Sequence, residues 1–193
     1  MSSRVRHTNE EIANRDHMLP IAEQRAFAMW ASAGGRPSDR EYHWLPTWYC
    51  MSVQNSTGRT PPKGECYAFA HGVVTGLKER CLMSDRPTAK ELAWRTGTAH
   101  PQRVAKWFGD HGNMPLDVLC MLSLWYQVPV RDLLSTYGAP AAQRWREEHA
   151  EELAQHTLRP VVVFPEDAPQ NLVAVAAGVA QSTPVPMQVL PHS

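Results

Sequence analysis

The sequence of 193 residues predicts a mainly α-helical protein built in three parts. Apolar residues recur at helical spacing, Gly and Pro stand where helices would end or begin, and only one β-branched run suggests a strand. The predicted parts are a helical hairpin at 1–47, a central helical domain at 66–138, and a C-terminal helix with a short β element at 139–178, which could mediate dimerisation. A linker at 48–65 and a disordered tail at 179–193 complete the predicted organisation.

The composition is that of a globular protein with balanced charge. Hydrophobic residues make up 43% of the chain and the formal net charge is zero. The N-terminus lacks the apolar core of a signal peptide, and no apolar run reaches membrane-spanning length. We therefore expect a cytoplasmic protein with no membrane contact.

The cysteines favour neither a disulfide framework nor a metal site. No two of them form a Cys-x-x-Cys pair, and no His lies at zinc-ligand spacing from a pair. The sequence predicts four reduced, buried thiols, no metal and no cofactor; the alternative is a zinc site assembled from distant parts of the chain. The residues are Cys50, Cys66, Cys81 and Cys120.

The N-terminal part is predicted to form a helical hairpin after a polar start. Residues 1–17 are polar and charged, and we expect at most one helical turn there, at 9–14. The first hairpin helix begins near Pro20 and is stopped by Gly34-Gly35. The second is expected from Ser38 to Leu45.

This hairpin is similar to a short bacterial domain of unknown function that has a Gly-Arg-Pro turn between two helices. The resemblance covers 21–45 and implies a shape, not an activity. We expect Trp30 and Trp44 to bury large apolar area, and His43 to be structural, with a ligand or catalyst as the alternative. The matching residues are Arg25, Ala26, Phe27, Trp30, Gly35, Arg36, Pro37, His43, Trp44 and Leu45.

The predicted linker is rich in Pro, Gly, Ser and Thr. It lacks the residue order of a phosphate-binding loop, so we expect no nucleotide there. Within it, 48–51 could form a short strand or a packed apolar patch. After it, a helix is expected over 66–80, weakened or broken in two by Gly72 and Gly76.

Two short helices joined by a turn are expected next. Thr88 is a suitable N-cap with Glu91 completing a capping box, and Gly97 ends the first helix as a residue with positive φ. Pro101 is tolerated only in a first turn, so it marks the start of the second helix. Its buried stripe is predicted to be Val104, Trp107 and Phe108, which leaves Gln102, Arg103 and Lys106 facing outward.

This arrangement is a helix-turn-helix pattern, in which the second helix enters the major groove of DNA; the alternative is a small helical core with a solvated polar face. The segment 66–136 resembles the lambda-repressor-like (Xre/Cro) family, which implies a five-helix DNA-binding domain. The turn before Val104 is one residue longer than the usual pattern. The matching residues are Leu92-Ala93, Gly97, Val104, Trp107, Gly112, Pro115, Leu119 and 128–134.

The resemblance implies a sequence-specific transcriptional regulator of prokaryotic, phage or plasmid type, acting on double-stranded DNA as a homodimer. Arg, Lys and Gln read base edges, whereas hydroxyl and cationic groups position phosphates. The predicted base-reading residues are His100, Gln102, Arg103 and Lys106. The predicted phosphate contacts are Thr88, Lys90 and Arg95.

The rest of the chain is predicted to hold three helices and one strand. Pro115 opens the fourth helix of the central domain, 128–134 forms the fifth, and 141–156 forms a further helix with a narrow apolar stripe. The β-branched run 159–165, flanked by prolines, predicts an edge strand that could pair with 172–176 or with a second chain.

Two other functions remain open from the sequence. The first is an antitoxin-like or adaptor protein that has kept the helical fold and binds a protein partner, which the neutral charge and the longer turn favour. The second is an enzyme with a site around His43, although no catalytic motif is present and we expect no enzyme activity.

Overall fold

The computed structural model of the protein describes residues 7–36, 38, 43–109 and 112–157, without the side chains of 156 and 157. These residues are mainly helical, and no β-strand occurs among them. The chain divides after Ala150 into two compact units. The helices are α1 (Asn9–Ser32), α2 (Leu45–Thr57), α3 (Lys63–Leu77), α4 (Met83–Asp85), α5 (Ala89–Arg95), α6 (Pro101–Trp107), α7 (Leu116–Trp125), α8 (Val130–Leu133), α9 (Ala139–Glu148) and α10 (Ala150–Thr157).

The first helix is longer than the sequence analysis predicted. It begins at Asn9, not near Pro20, and continues through Pro20 to Ser32. The missed start signal is a capping box: the Thr8 hydroxyl accepts the Glu11 N–H at 3.1 Å, and the Glu11 carboxylate accepts the Thr8 N–H at 2.7 Å. Residues 9–19 therefore add about three turns to the predicted helix.

Helices α1, α3 and α7 build the hydrophobic core. α1 packs along α7, and α3 packs against α2 and α9. Trp30 from α1 is fully buried, as predicted, and its indole N–H donates to the Arg36 carbonyl at 3.2 Å. Most of α7 is buried, which follows from its nearly continuous apolar sequence.

The second helix predicted for the N-terminal hairpin, 38–45, is not confirmed. Of its described residues, 38 and 43–45, only Leu45 is helical, and it begins α2. His43 and Trp44 precede α2, with Trp44 in extended conformation, and the Leu45 N–H donates to the Met114 carbonyl at 2.9 Å. Trp44 is 37% exposed and therefore buries a smaller fraction of its surface than Trp30, which is 2% exposed. The His43 ring instead lies 4.6 Å from the Trp30 ring, in line with a structural histidine.

Residues predicted as the start of the linker form helix α2. Pro46 stands in its first turn and Gly58 ends it with φ of +70°. Proline at a helix start and glycine after its end are ordinary helix boundaries, although both residue types are also frequent in loops. Trp48 anchors the helix by donating its indole N–H to the Met29 carbonyl at 2.7 Å. The packed alternative for 48–51 is therefore correct, and the strand is not.

Helix α3 is not broken by its glycines. It passes without interruption through a π-helical turn, Lys78–Leu82, into α4. A Cβ at Gly72 would lie 2.5 Å from the Tyr137 carbonyl oxygen, and one at Gly76 would lie 2.4 Å from the Tyr137 ring. These glycines allow a close helix approach, which outweighs their low helix propensity.

The predicted boundary between the central domain and the C-terminal part, after residue 138, falls inside a continuous helical segment. α8, a π-helical turn at Leu134–Gly138, and α9 follow one another without a loop. The helix predicted at 141–156 is instead divided at His149, with α9 before it and α10 after it. The Trp145 ring lies against Gly64 of α3, so the narrow stripe of α9 packs on the helical core.

The predicted strands at 159–165 and 172–176 and the tail at 179–193 lie outside the described residues. Among the described helices, none combines the length and apolar character required to cross a bilayer.

Candidate nucleic-acid interface

Helix α5 begins at the predicted N-cap. The Thr88 hydroxyl accepts the Glu91 N–H at 3.1 Å, which forms half of the predicted capping box. The Glu91 carboxylate instead accepts the Nε–H of Arg95 at 3.0 Å. The helix start is thus confirmed, while Glu91 serves an i,i+4 ion pair.

The turn after α5 has the geometry predicted for Gly97. Its φ is +70°, and the chain reverses through two hydrogen bonds, Gly97 N–H to Trp94 O at 3.1 Å and Thr98 N–H to Ala93 O at 2.9 Å. This pair of bonds is the Schellman motif, which satisfies carbonyl groups at a helix end. A Cβ at Gly97 would lie 3.0 Å from Leu19, so α1 also fixes the turn.

Helix α6 begins at Pro101, as predicted, with His100 as its N-cap. Val104 and Trp107 are buried, whereas Phe108 is only partly buried. The end of the helix is held to the π-helical turn after α3, because Lys78 Nζ donates to the Phe108 carbonyl at 3.1 Å. Both ends of α6 are therefore attached to the core.

The four predicted base-reading residues are exposed. His100 lies just before α6 and makes no side-chain capping bond, and Gln102, Arg103 and Lys106 are exposed along α6. Within the described part of the chain, neither Arg103 nor Lys106 forms an ion pair. Their polar groups are available to a ligand.

The three predicted phosphate contacts differ in their surroundings. Thr88 and Lys90 are exposed at the start of α5. Arg95 is only 12% exposed and donates to Asp85, to Glu91 and to the Tyr126 hydroxyl. The hydrogen bond from Arg95 holds the pKa of the Asp85 carboxyl below its ordinary value. We leave Arg95 out of the proposed DNA contacts, because its donors are used within the fold.

The N-terminal helix also covers α5, which sequence reasoning missed. The His7 ring stacks on Trp94 with centroids 3.4 Å apart, and the Arg15 guanidinium lies 5.0 Å from the same ring. Trp94 in turn meets Trp125 edge to face at 5.8 Å. The capping box of Thr8 and Glu11, which starts α1 at Asn9, is the sequence signal that could have predicted this contact.

A cleft of about 680 Å³ lies beside α6. Arg103 lines it together with two carboxylates, Glu23 of α1 and Asp117 of α7. Phe27 and Trp44, which are 43% and 37% exposed, supply apolar walls. The exposed face of α6 therefore has both positive and negative charge at its border.

No cluster of three or more His, Cys, Asp or Glu side chains suited to a metal ion occurs within the described ranges. The four cysteines are free thiols, and three are buried while Cys50 is half-buried.

Comparison of the chain with protein-family models, with curated proteins and with solved structures finds no match.

Proposed function

We propose that the protein is a sequence-specific DNA-binding transcriptional regulator of prokaryotic, phage or plasmid type, with the lambda-repressor-like fold in its central domain. Helix α6 would enter the major groove, which is wide enough for a helix. His100, Gln102, Arg103 and Lys106 would read bases, and Thr88 and Lys90 would contact phosphates.

The observation that carries this proposal is the division of α6 into two faces. Val104 and Trp107 are 3% and 4% exposed, whereas the side chains of Gln102, Arg103 and Lys106 are exposed to solvent. These are side chains that hydrogen-bond guanine and adenine edges. The glycine turn and the attachment of Lys78 to Phe108 hold this face in one orientation, which base reading requires.

A neutral chain binds DNA weakly through phosphates alone, because counterion release scales with the number of cationic contacts. We propose that the protein binds as a homodimer, which doubles these contacts. Two copies related by a two-fold axis would place their half-sites about one turn of DNA apart.

Selection of binding duplexes from a random pool, followed by Arg103→Ala, tests the proposal. A bidentate Arg contact contributes about 1–3 kcal/mol to discrimination at one base pair. We expect the variant to bind the selected duplex more weakly and to lose preference at one position of each half-site. The exposed Arg131 of α8 offers a matched control, since Arg131→Ala should change neither property. Unchanged affinity and preference in Arg103→Ala would contradict the assigned register of α6.

A second candidate is the antitoxin-like or adaptor protein. The carboxylates of Glu23 and Asp117 beside Arg103 favour it, because negative charge at the border of α6 repels the DNA backbone. A protein partner that co-purifies in fixed ratio with the wild type, together with failure to select any duplex, would support this candidate over the regulator.

A further inference from the structure

The cleft beside α6 combines aromatic, acidic and basic side chains in its lining. It brings together two large exposed aromatic side chains, two carboxylates and one guanidinium. Other exposed large apolar residues in the described chain, such as Ile12 and Met83, do not line it. A volume of about 680 Å³ is within the range of sites that hold small organic ligands.

The lining determines the ligand class. Phe27 and Trp44 offer flat apolar surfaces that favour an aromatic ring packed against them. Glu23 and Asp117 favour a cationic group, and Arg103 favours a carboxylate, with which a guanidinium forms paired hydrogen bonds. A ligand that satisfies all three features carries an ammonium, a carboxylate and an aromatic ring.

We propose that this cleft binds a free aromatic amino acid as a zwitterion. The ring packs against Phe27 and Trp44, the ammonium pairs with Glu23 and Asp117, and the carboxylate pairs with Arg103. The binding itself is independent of the proposed DNA contact. One consequence rests on that function: a ligand that holds Arg103 withdraws it from the groove and weakens operator binding.

Isothermal titration calorimetry of the full chain without DNA tests the proposal. The probes are L-tryptophan, tryptamine, which lacks the carboxylate, and indole-3-propionate, which lacks the ammonium. We expect saturable binding of one L-tryptophan per chain, with each analogue weaker by roughly tenfold or more, since each loses one charged pair. If neither L-tryptophan nor L-phenylalanine binds at concentrations up to about 10 mM, or if either analogue binds as tightly as L-tryptophan, the proposal is wrong.

Two variants test whether L-tryptophan binds in this cleft or elsewhere on the surface. Phe27→Ala should weaken L-tryptophan binding by roughly tenfold or more, because it removes an aromatic wall. Met83→Ala removes a side chain that is 64% exposed and lies outside the cleft, and it should leave binding unchanged. Equal effects of the two variants would overturn the proposed location. Since no DNA is present, the result does not depend on whether the chain regulates transcription.

Discussion

The Glu65 carboxylate is completely buried and accepts two hydrogen bonds from the Arg59 guanidinium, at 2.7 and 2.8 Å. The Tyr49 hydroxyl donates to the same carboxylate at 2.9 Å, and Arg146 lies 3.8 Å from it. These contacts join α2, the segment after it, α3 and α9. The sequence did not predict this cluster, since Arg146 lies about eighty residues after Glu65 in the chain and the spacing of the other three residues matches no helical repeat.

Removal of Arg59 should destabilise the fold. Arg59→Ala leaves a buried carboxylate with fewer donors, and loss of one partner of a buried pair is costly. Because Arg146 and Tyr49 remain, we expect the free energy of unfolding to fall by about 2–3 kcal/mol. This loss is smaller than the loss expected for a buried carboxylate with no partner at all. Urea denaturation measures it, with Arg131→Ala as an exposed arginine control. Equal stability of the two variants would contradict the structural role of the pair.

The same pair predicts an acid-dependent stability. Burial by itself raises the pKa of Glu65, but hydrogen bonds from Arg59 and Tyr49 outweigh it, so that the pKa lies below its ordinary value. A lowered folded-state pKa contributes stability that is present above the unfolded-state value and is lost as the pH falls through the folded-state value. In Glu65→Gln, the unfolding free energy should therefore fall less between pH 7 and about 3 than in the wild type.

The control for this measurement is Glu79→Gln, which removes an exposed carboxylate. It should retain the acid dependence of the wild type. If Glu65→Gln and the wild type lose stability in parallel on acidification, the lowered pKa of Glu65 is not a source of folding energy.

Because α3 approaches the backbone at Tyr137 closely, we expect a methyl group added at Gly72 to lower the stability of the fold. In Gly72→Ala the new Cβ would meet the Tyr137 carbonyl oxygen, which cannot move without shifting the backbone. Overpacking of this kind costs about 1–3 kcal/mol, more than the gain of up to about 1 kcal/mol in helix propensity. Thermal unfolding should show a lower Tm, whereas Gly109→Ala, with its nearest atom at 3.6 Å, should be neutral. A stabilised Gly72→Ala would indicate that the two segments are farther apart.

Substitution of Arg95 should reduce stability, whereas substitution of Lys90 should leave stability unchanged and alter DNA binding. Arg95→Ala removes hydrogen bonds to Asp85, Glu91 and Tyr126, and we expect a loss of about 2 kcal/mol in stability. Lys90→Ala should stay within about 0.5 kcal/mol of the wild type. On a bound duplex, Lys90→Ala should reduce the log–log salt slope by about one. Wild-type stability in Arg95→Ala would return this residue to the candidate phosphate contacts.

Local signals in the sequence predicted the centre of the fold well. The N-cap at Thr88, the positive φ at Gly97 and the start of α6 at Pro101 follow from backbone chemistry that a few neighbouring residues determine. The buried and exposed faces of α6 follow in the same way from the spacing of Val104 and Trp107.

Features that depend on distant contacts were missed or misjudged. The low helix propensity of Gly72 and Gly76 suggested a break in α3, although their role is to admit Tyr137, more than sixty residues away in sequence. The linker predicted at 48–65 includes most of α2, because the Pro, Gly, Ser and Thr residues that are typical of loops also occur at helix boundaries. The internal pairing of Arg95 needed the position of Tyr126, which no local pattern provides.

The central claim is that the exposed face of α6 reads a DNA sequence. Fluorescence anisotropy of the full chain, against the DNA upstream of its own gene and against a scrambled duplex across a salt series, tests it most directly. We expect the upstream duplex to bind about a thousandfold or more tightly than the scrambled duplex, with a log–log salt slope that reports several phosphate contacts. Equal, weak binding to both duplexes would contradict the regulator and favour the adaptor.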